Sequence, residues 1–163
     1  MLPGGLVVSD KAETPNRVLG SSVAMGAQAS YPEALRSVVR WNTLVGSGNE
    51  GWTGIPQGDV RMGLLDLDPG GFYPSHAHPA PEIYYIVSGA AEWSVGAETF
   101  AAVAGMAIYH APNMPHRMVN TGTVPLRTVW FWWAPGGDAA VLTTAPKLLE
   151  PMPDAPCPPA SRT

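Results

Sequence analysis

From residue 37 to residue 133 the chain breaks into short apolar runs that alternate with polar positions, a period of two that strands use and helices do not. Nine such runs can be marked: SVVRWNTLV, VRMGLLDLD, FYPSHAH, EIYYIVSG, AEWSV, ETFAAVA, MAIYHA, HRMVN and LRTVWFWW. Between them lie the turn signals GSGNEG, DPGG, VGAE, AGM, APNMP and NTGTVP, rich in Gly, Pro and Asn. Short strands at close spacing, with no long helical pattern between them, predict an all-β barrel or jelly roll. One brief helix is expected near Ser30, where Glu33 stands at capping-box spacing. Residues 1–35 read as an N-terminal arm and residues 36–144 as the barrel. Residues 145–163, dense in proline, read as a tail that is flexible or lies on the surface.

The chain has 163 residues, enough for one domain with a core. Charged residues are only 13 % of it, against about 25 % in typical domains, which fits many buried strands joined by turns. A net charge of −4 with no basic run argues against nucleic acid as a partner. No apolar run approaches the ~20 residues of a membrane helix, and MLPGGLVVSDKAE lacks the basic start of a signal peptide. With Cys157 the sole cysteine, no internal disulfide can form, and a cytoplasmic location is expected.

The chemistry concentrates in GGFYPSHAHPAPEIYYIVSG. His76 and His78, two apart on a strand, project to one side as a chelating pair must. Pro79 and Pro81 bend the chain before Glu82, and an antiparallel return would bring that carboxylate back to the same space. Two imidazoles and a carboxylate suit Fe(II), Mn(II), Ni(II) or Zn(II), and His116 in APNMPHRMVN offers a further ligand. His110, the remaining histidine, reads as a strand residue or a partner of a ligand.

The spacing of these residues resembles the two sequence motifs of the cupin superfamily. Gly70, His76, His78, Glu82 and Gly89 stand in the order and spacing of the first. Gly105, Ala111, Asn113, His116 and Asn120 stand in that of the second, with Ala111 in place of a proline and Asn113 in place of a glycine. Asparagine is the residue that best tolerates left-handed backbone in a glycine's place, so the second departure is mild. The resemblance implies a single-domain jelly-roll cupin with His76, His78, Glu82 and His116 as ligands of one divalent metal ion.

Within EIYY, Tyr84 shares the face of Glu82 while Tyr85 turns outward, so the Tyr84 phenol is a candidate base beside the metal. Six tryptophans, Trp41, Trp52, Trp93, Trp130, Trp132 and Trp133, supply rings that could seat an organic cation, although most are expected to pack the core or an interface. The stretches VRWNTL, HAHPAPEIYYIVSG, GMAIYHAPNMPHRMVNTG and PLRTVWFWW resemble the small cupin lyases that cleave dimethylsulfoniopropionate (DMSP). That resemblance implies Fe(II) or Mn(II), with Tyr84 as catalytic base in a β-elimination giving dimethyl sulfide and acrylate. The metal would hold the substrate carboxylate, and aromatic rings would cradle the sulfonium. A further pocket tyrosine of some members has no match in AAVLTT, leaving Tyr73, Tyr109 and Trp41 as candidate substrate-binding residues. The same ligands would also serve an Fe(II) dioxygenase or a sugar-acid isomerase; a ligand-binding cupin without activity is the non-enzyme alternative. The partners expected are a small-molecule carboxylate and, through the outward half of VWFWW, a second copy of the chain as a homodimer.

Overall fold

The computed structural model describes residues 39–46 and 58–150, with the backbone of 7–8 and 17–18. The helix expected at Ser30, Trp52 and Cys157 lie outside the described residues, as does nearly all of the arm.

After the two-residue ribbons β1 (Val7–Val8) and β2 (Arg17–Val18), nine strands follow in the places the alternation marks. They are β3 (Val39–Val45), β4 (Val60–Leu67), β5 (Phe72–Ala77), β6 (Glu82–Ser88), β7 (Ala90–Val95), β8 (Glu98–Val103), β9 (Ala107–His110), β10 (His116–Asn120) and β11 (Leu126–Trp133). A 3₁₀ turn at Pro135–Gly137, the single-turn helix α1 (Ala140–Thr143) and the edge strand β12 (Lys147–Leu148) complete the described chain. They form two five-stranded antiparallel sheets, β12-β5-β10-β7-β8 and β3-β4-β11-β6-β9, packed face to face as a jelly roll.

The alternation decides what lies between the sheets. Along β6, Glu82, Tyr84 and Ile86 are buried while Ile83, Tyr85 and Val87 face outward. Leu65, Leu67, Phe72, Trp93, Met118 and Leu126 fill the interior. Gly63 has no side chain because the Trp130 indole lies over it: a Cβ would come within 2.6 Å of that ring and would also strike the Asn42 carbonyl.

The turns use the chemistry read from the motifs. Gly70, Gly89 and Gly105 all have positive φ, and Asn113, the asparagine in a glycine's place, has φ 59°. Asn120 is buried and structural. Its Nδ2 donates to the Leu67 and Val124 carbonyls at 2.8 and 3.0 Å, and its Oδ1 accepts from the Gly122 amide.

One expectation needs correction. β6 does not return beside β5. It crosses to the opposite sheet, where its neighbours are β11 and β9, so Glu82 meets the histidines across the barrel interior and not along one sheet. Of the proline-dense segment from 145 onward the structure describes residues 145–150, which lie on the surface with 147–150 along the edge of β5. Lys147 and Leu148 pair with Ala77 and His76, the Leu149 amide donates to Ser75 O, and Glu150 accepts from the Ser75 amide at 2.7 Å.

Candidate metal centre

His76 and His116 are direct cross-strand partners on β5 and β10, and their rings lie 4.0 Å apart between centroids. His78 follows at the end of β5, and Glu82 opens β6 on the facing sheet. All four are buried, and one ligand atom from each falls within 4.8 Å of the others.

Each histidine is oriented by its own local backbone. The Nδ1 atoms of His76, His78 and His116 lie 2.8, 2.8 and 2.9 Å from the carbonyls of Pro74, Ala80 and Met114. A carbonyl only accepts, so each Nδ1 carries a proton, and the neutral tautomer this selects has its lone pair on Nε2, facing inward. The Nε2 atoms of His78 and His116 both lie 3.1 Å from Glu82 Oε2. That of His116 is buried and is not aligned to hydrogen-bond with the carboxylate despite its proximity. Converging lone pairs around a carboxylate, one of them orphaned, are the donor set that a divalent cation satisfies. The residues therefore fit a metal ion held by three imidazoles and one carboxylate.

Neighbouring groups hold the carboxylate in place. The Trp132 indole N–H donates to Glu82 Oε1 at 2.6 Å. Trp93 N–H donates to His110 Nε2 at 3.0 Å, which leaves the proton on His110 Nδ1, 3.3 Å from Glu82 Oε2. His110 also stacks on His116, with centroids 3.9 Å apart. Burial alone would push the Glu82 carboxyl up, but hydrogen bonding, led by His110, outweighs it and holds the group well below its usual range. Burial first, then the nearby His116, pushes His76 down to about 3, so its ring is neutral at physiological pH and available as a ligand.

A cavity of about 130 Å³ opens onto His76 and Glu82, room for a small metabolite. Tyr84, on the inward face of β6, lines it, with its ring 5.1 Å from Trp93 and 5.6 Å from His110. Trp41 and Tyr73 line it too. Simple alternation would set Tyr73 and His76 on opposite faces. A bulge in the β5–β10 pairing intervenes, since His116 pairs with His76 but Met118 pairs with Tyr73, and it brings the two rings to 4.4 Å. Tyr109 does not belong to the pocket. It lies one residue from inward-facing His110, so its side chain is 56 % exposed and stacks on Trp133 on the outer face.

Reading the sequence for ligands passed over the pocket's other pole, Arg61. Its guanidinium sits over the Trp130 and Trp132 rings, 5.8 and 5.4 Å from their centroids, and Nη1 donates to the Leu142 carbonyl at 2.9 Å. Burial pulls its pKa down from the usual arginine value. One face of each of these two indoles is therefore taken by the protein's own cation. The available signal was parity: in VRMGLLDL, Arg61 shares a face with Leu65 and Leu67, both buried.

No helix among the described residues is long and apolar enough to cross a membrane. Residues 63–132 match the cupin domain family (Cupin_2). The crystal structure of the DMSP lyase DddQ from Ruegeria pomeroyi is 27 % identical with a TM-score of 0.58, covering 69 % of this chain and 52 % of that one. A structure from the set of DMSP lyases RdDddP and RnDddQII is also 27 % identical, with a TM-score of 0.57, covering 76 % and 61 %. An uncharacterized protein of Methanocaldococcus jannaschii is 36 % identical over 61 residues, 37 % of this chain and 49 % of that protein. The chain thus spans roughly half the length of these relatives. With the jelly roll, both motifs and the ligand cluster in place, residues 63–132 form a cupin domain.

Proposed function

We propose that the protein is a metal-dependent lyase that removes the proton α to a carboxylate and expels a substituent from the β-carbon, with DMSP as the substrate to assay first. One observation carries this reading: the Tyr84 ring lines the same small cavity as His76 and Glu82, two members of the ligand cluster. The 27 % identity to DMSP lyases supports the choice of substrate.

A free phenol, with a pKa near about 10, is a weak base at neutral pH. When bound, a divalent cation supplies a fixed positive charge that favours ionised oxygens nearby, the phenolate included. Tyr84, as phenolate, accepts the α-proton. The electron pair of the broken C–H bond becomes the new carbon–carbon double bond. The C–S bond breaks with its electrons on sulfur, which leaves as neutral dimethyl sulfide, and acrylate remains. The protein's part is to hold the acid with its α-carbon against the phenol, in a cavity whose aromatic walls limit water.

Headspace detection of dimethyl sulfide, from DMSP and protein loaded with Fe(II) or Mn(II), tests the reading. Release by the wild type, with loss in Tyr84→Phe at unchanged metal content, is expected. Equal release by Tyr84→Phe rejects Tyr84 as the base, and no release above a protein-free control rejects DMSP as substrate.

A further inference from the structure

Arg61 presents a problem that the ligand cluster does not solve. Among the described residues its only hydrogen-bond acceptor is the Leu142 carbonyl, no carboxylate pairs with it, and its Nε is buried without an acceptor. Arg61 is half-buried, and withdrawing an unpaired cation even partly from water costs free energy that a folded protein ordinarily avoids by supplying a counter-charge. Stacking on two indoles offsets part of that cost and fixes the plane of the guanidinium. The chain has gone to the length of holding a permanent cation rigidly in the wall of a small-molecule cavity.

Its position relative to the metal cluster follows from the strand register. Arg61 pairs with Trp132, and Trp132 pairs with Glu82, so the three form one inward row across β4, β11 and β6. Two strand spacings, about 10 Å between Cα atoms, separate Arg61 from Glu82. The cavity reaches both ends of that row, with Trp132 and Tyr84 also in its lining.

We propose that Arg61 is the anion seat of this pocket and takes a carboxylate of the substrate. This rests on the lyase reading only for where the reacting carbon lies. Among the described residues its Nη2 makes no hydrogen bond, and a guanidinium held flat by stacking presents that charged N–H to a carboxylate oxygen. A cationic group on the substrate is turned away from this end by the positive charge of Arg61 itself. Arg61 therefore sets which end of a zwitterionic acid points where.

The test uses the full-length, metal-loaded protein and a pair of probes alike in shape but not in charge, propionate and propionamide. Binding is followed by tryptophan fluorescence, since Trp130 and Trp132 adjoin Arg61. The wild type is expected to prefer propionate by about ten- to a hundredfold, the usual worth of a hydrogen-bonded charge. Arg61→Gln retains an N–H for the Leu142 carbonyl but no charge, and should abolish the preference with metal content unchanged. Arg61→Lys keeps the charge without the fork and should retain a reduced preference, which decides the matter if the glutamine variant does not fold. The proposal is overturned if Arg61→Gln prefers propionate as the wild type does, if both probes weaken equally, or if Arg61→Lys shows no preference. Dimethyl sulfide plays no part in this readout, so failure of the lyase assay and failure of this proposal are separate results.

Discussion

Consider replacing Trp132 with phenylalanine. The indole N–H lies 2.6 Å from Glu82 Oε1, and both residues are buried, at 8 % and 1 % exposure. Phenylalanine removes the donor and leaves a carboxylate oxygen in the interior without it. For a charged acceptor the loss is about 2–3 kcal/mol, and the missing half of the indole adds to it through lost contact with His78 and Arg61. A total of about 3 kcal/mol corresponds to a melting temperature roughly 6–12 °C lower for a domain of this size. The same indole fixes how Glu82 faces the cluster, so metal affinity should fall about ten- to a hundredfold, the usual effect of removing a group that orients a ligand. Thermal melts followed by circular dichroism, and competition for Zn(II) against a chromogenic chelator, measure the two effects. A variant that melts within about 1 °C of the wild type and holds zinc equally well would show that Glu82 needs no such anchor.

His78→Ala removes one of four ligands, and metal content after dialysis, by elemental analysis, should fall at least about tenfold; retention of one equivalent would count against the cluster. Acid should destabilise the chelator-treated protein early. His76 is held at about 3 in the folded chain against 6.5 when unfolded, so the unfolded chain binds the extra proton between those values and stability falls as pH drops from 6.5 toward 3. At 1.36 kcal/mol per unit this is ~5 kcal/mol. Glu82, also held low, adds a further loss only below about its ordinary 4.5. Urea midpoints that stay level between pH 7 and 4 would refute this. Asn120→Ala breaks three hydrogen bonds that tie Leu67, Gly122 and Val124 together, and should cost about 2–4 kcal/mol in a urea melt without altering the metal ligands.

The strands were legible because each buries one face, and a period of two records this directly. SVVRWNTLV and LRTVWFWW become β3 and β11 with their ends within two residues of the runs. Which strands lie side by side was not legible. Glu82 was expected to return beside the histidines, yet β6 joins the other sheet, because pairing partners are chosen by the packing of the whole barrel and not by the Pro79–Pro81 turn. Tyr109 shows the limit of composition: a tyrosine near a site in sequence says nothing until the parity of its strand is fixed by the neighbouring histidine.

The candidate site divides along the same physical line. Each histidine ligand is oriented by a carbonyl two residues away, Pro74 for His76, Ala80 for His78 and Met114 for His116. Such contacts are set by the local backbone, which is why a short spaced motif encodes them and why Asn113 could be read as a stand-in for glycine before its φ of 59° was seen. The groups that tune the carboxylate and face the substrate arrive differently. Trp132, His110 and Arg61 reach the site because Glu82 pairs with Trp132 on one side and His110 on the other, and Trp132 pairs in turn with Arg61. The separation of Arg61 from Glu82 in sequence carries no trace of that neighbourhood; only the register does. The candidate metal ligands of this barrel are thus a property of loops and strand ends, whereas the proposed recognition of a carboxylate is a property of one row across a sheet. Substitutions of Arg61, Trp132 or His110, the members of that row outside the motifs, should therefore change ligand preference in chains whose two motifs remain intact.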